Sequence, residues 1–150
     1  MKNFFFILSF SRSGSTTLGQ KLNNHSDLDV INESWIFNLL GILKWKKLNS
    51  LRQKYILNQL NKTQKAITTI KASEIEDDTI TVEHFFQAIF PTESSFIGEK
   101  TPTNLFYYPY LKAQFKSAKF LFLKRHPLSI CSSYFSRWYS FTYDDKFIID

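Results

Sequence analysis

One cysteine, Cys131, is all the chain holds. No disulfide can close within it and no cysteine-based metal cluster can form, so a reducing compartment, by default the cytoplasm, is the expected setting. Long apolar runs are missing too. No stretch approaches the ~20 residues of a membrane-spanning helix. The run that follows Lys2 is interrupted by Ser11 and Arg12, and no clean small-residue cleavage site follows, so it does not read as a secretory signal. Acidic residues are the minority: 13 Asp and Glu against 19 Lys and Arg give a net charge of +6, which suits an anionic ligand. The basic residues are dispersed and form no nucleic-acid recognition module, so nucleic acid is not the expected partner. Internal repeats and low-complexity segments are also lacking; the Lys- and Asn-rich stretch 44–65 reads as a solvated helical region rather than a linker. What the chain does have is apolar bulk. A hydrophobic content of 43%, with 16 Phe, argues for a packed globule and against disorder, and 150 residues suit one domain with a real core.

The chain is organised around Phe4 to Leu18. Phe4–Leu8 is too short for a core helix and suits a strand buried on both faces. Small hydroxylated residues centred on Gly14 follow, and Leu18 and Leu22 then fall on one helical face. Strand, tight turn and helix N-terminus make a cradle in which backbone N–H groups and the helix dipole favour an anion. Ser13, Ser15, Thr16 and Thr17 add hydroxyl donors, and Arg12 adds a planar fork suited to phosphate or sulfate oxygens. The nucleotide-triphosphatase loop needs Gly-x-x-x-x-Gly-Lys-[Ser/Thr]; here Ser9 stands at the first Gly and Ser15 at the Lys. Such a loop is poorly equipped for a β/γ-phosphate pair. The plainer alternative is a Ser-rich turn capping an ordinary helix.

Along the chain, the spacing predicts a helix from Ser15 to about Asn24 and a strand within 27–32. A helix opened by Glu33 and carrying Trp35, Ile36, Leu39, Leu40 and Leu43 comes next, then a helical segment over 51–60. Thr81 reads as the N-cap of a helix stopped by Pro91. A brief strand begins at Phe96 and gives way at Gly98 to Glu99-Lys100-Thr101-Pro102. A helix with Tyr107, Tyr110, Leu111 and Phe115 precedes a second buried strand, 119–124, and Pro127 starts a helix to about Tyr139. Strands alternating with helices predict an α/β fold, a P-loop-type, mainly parallel sheet flanked by helices. In such sheets the ligand sits beyond the carboxyl ends of the strands, and Arg12, Glu33, Lys100 and Arg125 each fall there.

These residues resemble the sulfotransferases that use 3′-phosphoadenosine 5′-phosphosulfate, most closely the branch with the tyrosylprotein sulfotransferases and many bacterial relatives. Arg12-Ser13-Gly14-Ser15-Thr16-Thr17-Leu18 looks like that branch's 5′-phosphosulfate loop, and His25-Ser26-Asp27 resembles the His-Pro that follows the loop helix. Glu33 falls where the family places a catalytic glutamate, and Glu99-Lys100-Thr101-Pro102 is similar to the segment carrying a catalytic lysine. Arg125 and Ser133, eight positions apart, with Arg137 beyond, resemble the 3′-phosphate site. The resemblance implies sulfuryl transfer to an acceptor hydroxyl or amine. Arg12, Lys100 and the loop amides would stabilise the leaving phosphate, Glu33 would be the base, and no metal would be required. Relatives continue well past the 3′-phosphate helix, so a single domain lacking the usual C-terminal part is expected.

Other readings stand beside this one. Glu33 is otherwise a surface acid opening a helix, Lys100 a solvated lysine, and Cys131 a small core residue. His25, His84 and His126 read as structural or solvated, and the aromatics of 106–110 as core. A non-catalytic nucleotide-binding remnant and a small-molecule kinase are the alternative functions.

Overall fold

The computed structural model describes residues 2–38, 47–48, 51, 80–90 and 92–138. Its centre is β1 (Asn3–Ser9), buried on both faces from Phe4 onward, as an unbroken apolar run requires. Alternation sorts its side chains between two cores. Phe5 and Ile7 meet Val30 on one face, with Leu18 and Leu22 of α1 (Ser15–Leu22) packed over them. Phe4, Phe6 and Leu8 enter the larger core on the other face, with Ile36, Phe37 and α2 (Val82–Ile89). Half of that buried cluster is phenylalanine: the Phe6 ring packs edge-on against Phe37 and Phe115 and stacks on Phe120, contacts worth about 0.5–1.5 kcal/mol each beyond area burial. Thr81 caps α2, its side chain accepting from His84 N–H at 3.2 Å.

The sheet is four parallel strands in the order β2 (Leu28–Asn32), β5 (Phe96–Lys100), β1, β6 (Lys119–Leu123). β3 (Lys47–Leu48) and β4 (Ile80–Thr81) pair separately as a two-stranded antiparallel ribbon. The chain leaves β1, passes over β5 to β2, returns to β5 and then crosses to β6, so β1 sits where strand order reverses. Ligand crevices open at such points, outside the carboxyl ends of the strands. A 3-10 turn (Pro102–Leu105) and α3 (Tyr108–Gln114) join β5 to β6, and α4 (Pro127–Trp138) follows. The α/β expectation holds. Among the described residues, no helix is long and apolar enough to cross a membrane.

Several details differ from the sequence reading. α1 ends at Leu22 because Asn23 turns its amide to β2, donating to Val30 O at 3.0 Å and accepting from Val30 N at 2.5 Å. Glu33 opens no helix: residues 33–35 are irregular and helical backbone begins at Ile36; Leu39, Leu40, Leu43 and the segment 52–60 lie outside the described residues. β5 does not stop at Ile97 but runs through Gly98 and Glu99 to Lys100, held between β1 and β2. The helix expected over 107–115 is present as α3, and a separate 3-10 turn opened by Pro102 precedes it. β6 is not buried; it pairs with β1 on one side and Phe122 is exposed. Cys131 is exposed rather than core, and so is Phe106, at 71%. Tyr107, Tyr108 and Tyr110 are half-buried, and desolvation pushes the Tyr110 hydroxyl well above the ordinary tyrosine range.

Gly98 is required by close approach. It pairs with Phe5, and a Cβ there would meet the Phe5 ring at 2.3 Å. Gly98→Ala displaces a buried ring between packed strands and costs about 1–3 kcal/mol, the usual penalty of overpacking. Urea denaturation checks it: the midpoint falls with the slope unchanged.

Candidate active site at the carboxyl rim of the sheet

β1 runs into the turn 11–14 and then α1, whose N-cap is Gly14 at φ 91. A Cβ at Gly14 would meet nothing within 4 Å, so glycine is needed there for its backbone conformation, not for space. α1 has no side-chain cap and no acidic residue in its first turn. The alternative of a Ser-rich turn capping its own helix therefore fails. The first-turn N–H groups are not taken by a capping side chain, and they open on a cavity of about 450 Å³.

Two more segments close that cavity. Arg12, at φ 67, donates through Nε to Ser133 Oγ at 3.0 Å, and its carbonyl accepts from the Arg125 guanidinium at 2.9 Å. The start of the chain and α4 are thus bolted across the rim. Arg12, Gly14, Ser15, Thr16, Thr17, Glu33, Arg125, Ser133 and Arg137 all line the cavity. A second cavity of about 630 Å³ adjoins it, sharing Arg12, Arg125, Ser133 and Arg137 and adding Ser129, Ser132 and Ser136 of α4. Three guanidinium groups and a run of hydroxyls line the two spaces, a chemistry that suits a ligand with more than one anionic group.

Ser13 departs from expectation. Its hydroxyl is buried without a hydrogen-bond partner and does not line the cavity, and its N–H donates to the Phe10 carbonyl at 3.3 Å. Lys100 is also placed differently. It is the last residue of β5, fully buried, and lies beneath the cavity floor rather than in its wall. Its Nζ donates to Thr16 Oγ1 at 3.0 Å and to Glu33 Oε1 at 2.8 Å, so it is no solvated surface lysine. Strand alternation explains the direction: Gly98 and Lys100 face α1, while Ile97 and Glu99 face the phenylalanine core.

Glu33 follows β2 at φ 56, with Trp35 at φ 57. Left-handed backbone at non-glycine residues costs roughly 1–3 kcal/mol and persists where surroundings enforce it. The enforcement is visible. Glu33 N–H donates to Lys100 O at 2.7 Å, Ser34 N–H to Glu99 Oε1 at 3.2 Å and Trp35 N–H to Thr101 Oγ1 at 3.4 Å. The sequence reading passed over Glu99, which is fully buried; burial pushes its carboxyl above the ordinary range while hydrogen bonds from Thr101, Ser34 and Asn104 pull it back. Tyr134 and Pro102, also unanticipated, complete the cavity wall. An acid inside an apolar strand, two positions after Ile97, was the available signal for Glu99. None marked Tyr134.

The rim can therefore hold a multiply charged anion and carries a carboxylate and an ammonium 2.8 Å apart at its floor. Comparison with known proteins agrees with that chemistry. A family model described as the sulfotransferase family matches residues 5–148, a span that takes in the loop, the parallel sheet and α4. No curated protein matches the chain. On the extent of that match, covering every residue that builds the rim, the chain belongs to the sulfotransferase family.

Proposed function

We propose that the chain moves a sulfuryl group from 3′-phosphoadenosine 5′-phosphosulfate to an acceptor hydroxyl or amine. We read it as one domain of the tyrosylprotein-sulfotransferase-like branch, acting in a reducing compartment such as the cytoplasm. Family membership carries sulfuryl transfer as the general chemistry; the donor, the branch and the residue roles are inferred from motif and geometry. The observation that carries the reading is the shared rim: Arg12, Arg125 and Arg137 line adjoining cavities over the uncapped start of α1, with Glu33 at the edge.

In this reading the loop amides, Ser15, Thr16, Thr17 and Arg12 hold the 5′-phosphosulfate, and Arg125, Ser133 and Arg137 hold the 3′-phosphate. Glu33 takes the acceptor's proton as the acceptor oxygen or nitrogen bonds to sulfur. The bond from sulfur to the bridging oxygen breaks, and adenosine 3′,5′-bisphosphate leaves. The Lys100 ammonium, beneath the floor, bonds Thr16 and Glu33, and its charge favours the negative charge that develops on the bridging oxygen above it. A transferred group with less charge than a γ-phosphoryl needs only these fixed donors, and no metal is invoked.

Calorimetric titration with adenosine 3′,5′-bisphosphate, with and without magnesium, tests this. Binding is expected in both conditions. Arg125→Ala, which removes charge-assisted bonds to the 3′-phosphate worth about 1.5–3 kcal/mol, should raise Kd roughly 10- to 100-fold. Absence of binding, or strict dependence on magnesium and ATP, removes the reading in favour of a kinase or another nucleotide site. Transfer of radiolabelled sulfate to a panel of acceptors then separates an enzyme from a module that only binds.

A further inference from the structure

The geometry points to Glu99 as a positioning residue, whose buried carboxylate locks the turn carrying Glu33 to the strand end carrying Lys100. Both ends of the lock are visible. Glu99 Oε1 accepts from Ser34 N–H at 3.2 Å, Ser34 Oγ at 2.7 Å and Thr101 Oγ1 at 2.5 Å, and Oε2 accepts from Asn104 Nδ2. Every neighbour bonded to it is a donor, the arrangement that suits an ionised carboxylate. Thr101 Oγ1 in turn accepts from Trp35 N–H, and Ser34 Oγ from Ile36 N–H at 3.4 Å.

Consecutive amides 33–36 are thus anchored to the 99–101 segment, directly or through one hydroxyl. The left-handed φ values at Glu33 and Trp35 flank Ser34, the residue Glu99 grips twice. Without that grip, backbone at Glu33 relaxes toward commoner conformations, and the carboxylate moves off Lys100 and away from the acceptor. Glu99 itself lines neither rim cavity: it is fully buried, on the core face opposite Lys100. It acts through Glu33, not on substrate. The kinetic consequence rests on the sulfuryl-transfer reading; the structural lock does not.

Glu99→Gln is the test variant. It keeps shape and volume, and Asn104, whose Oδ1 is buried without a partner, can flip its amide to accept from the new Nε2. Amide hydrogen exchange at 34–36 should quicken roughly tenfold as charge-assisted bonds become neutral ones, while Phe6 and Ile7 in β1 exchange at the wild-type rate. In assays, kcat should fall about 10²-fold, the scale of a displacement of about 1 Å at a reacting group, with the donor KM unchanged. In a Glu33→Gln background the same substitution should cost nothing further. Ser34→Ala, which removes the hydroxyl that donates to Glu99 and accepts from Ile36 N–H but leaves the carboxylate, should shift exchange in the same direction. Uniformly faster exchange across β1 and the turn, no change at 34–36, or a full kcat loss that persists in the Glu33→Gln background each overturn the proposal. If the wild-type protein transfers no sulfate, the functional reading fails and exchange alone decides the lock.

Discussion

Glu33→Gln lowers kcat for sulfuryl transfer by about 10²–10⁴-fold, the usual weight of a positioned general base, and leaves the Kd for adenosine 3′,5′-bisphosphate at its wild-type value. The amide keeps nearly everything else. Its oxygen still accepts from Lys100 Nζ, and the backbone bond from residue 33 N–H to Lys100 O is untouched. What it cannot do is take up the acceptor's proton. Fold stability should fall, because Gln leaves the fully buried Lys100 ammonium with neutral acceptors only; the cost should stay below the roughly 3–5 kcal/mol of a pair buried at both ends, since the Glu33 side chain is 46% exposed. The measurement is single-turnover transfer of labelled sulfate, with bisphosphate titration in parallel. An unchanged kcat would take the base role from Glu33; a kcat loss matched by lost binding would make it a donor-site residue.

How far the sequence showed this site depends on what each residue needed for its recognition. β1 was plain because its position is central: a strand covered on both faces must be apolar throughout, and Phe4–Leu8 is. β6 has the same composition, yet among the described residues it is an edge with Phe122 exposed. An apolar run announces a strand, but its place in the sheet is set by pairing with partners far away in sequence. Arg12 and Arg125 were legible as a pair because ligands gather at carboxyl ends of parallel strands; that Arg125 donates to the Arg12 carbonyl was not. Glu33 was found but misread as the start of a helix. Left-handed backbone at a non-glycine residue has no local signature, because the bonds that enforce it come from residues 99–101. Glu99 went unnoticed for a related reason: Glu99-Lys100 looks like one neutralised surface pair until alternation assigns them to opposite faces.

Lys100→Met carries the second large effect, a loss of about 10²–10³-fold in kcat, the scale measured for one donor that stabilises developing negative charge. Methionine suits this position because an unbranched apolar chain can fill the space of the buried lysine stem, whereas alanine would leave a cavity and confuse catalysis with stability. Removing the ammonium leaves no stranded buried charge, since the Glu33 carboxylate reaches solvent. The variant should fold, bind the bisphosphate and turn over slowly. Its signature differs from that of Glu33→Gln. A base matters less as the acceptor grows more acidic, so the Glu33→Gln defect should shrink from alcohols to acidic phenols. The Lys100→Met loss concerns a leaving group common to every acceptor, so most of it should persist across the series. The part that does not persist measures how far Lys100 works by holding Glu33 at 2.8 Å. Should the two defects track each other fully along the series, the ammonium would be acting through the base alone, and the leaving oxygen would have to rely on Arg12 and the amides of α1.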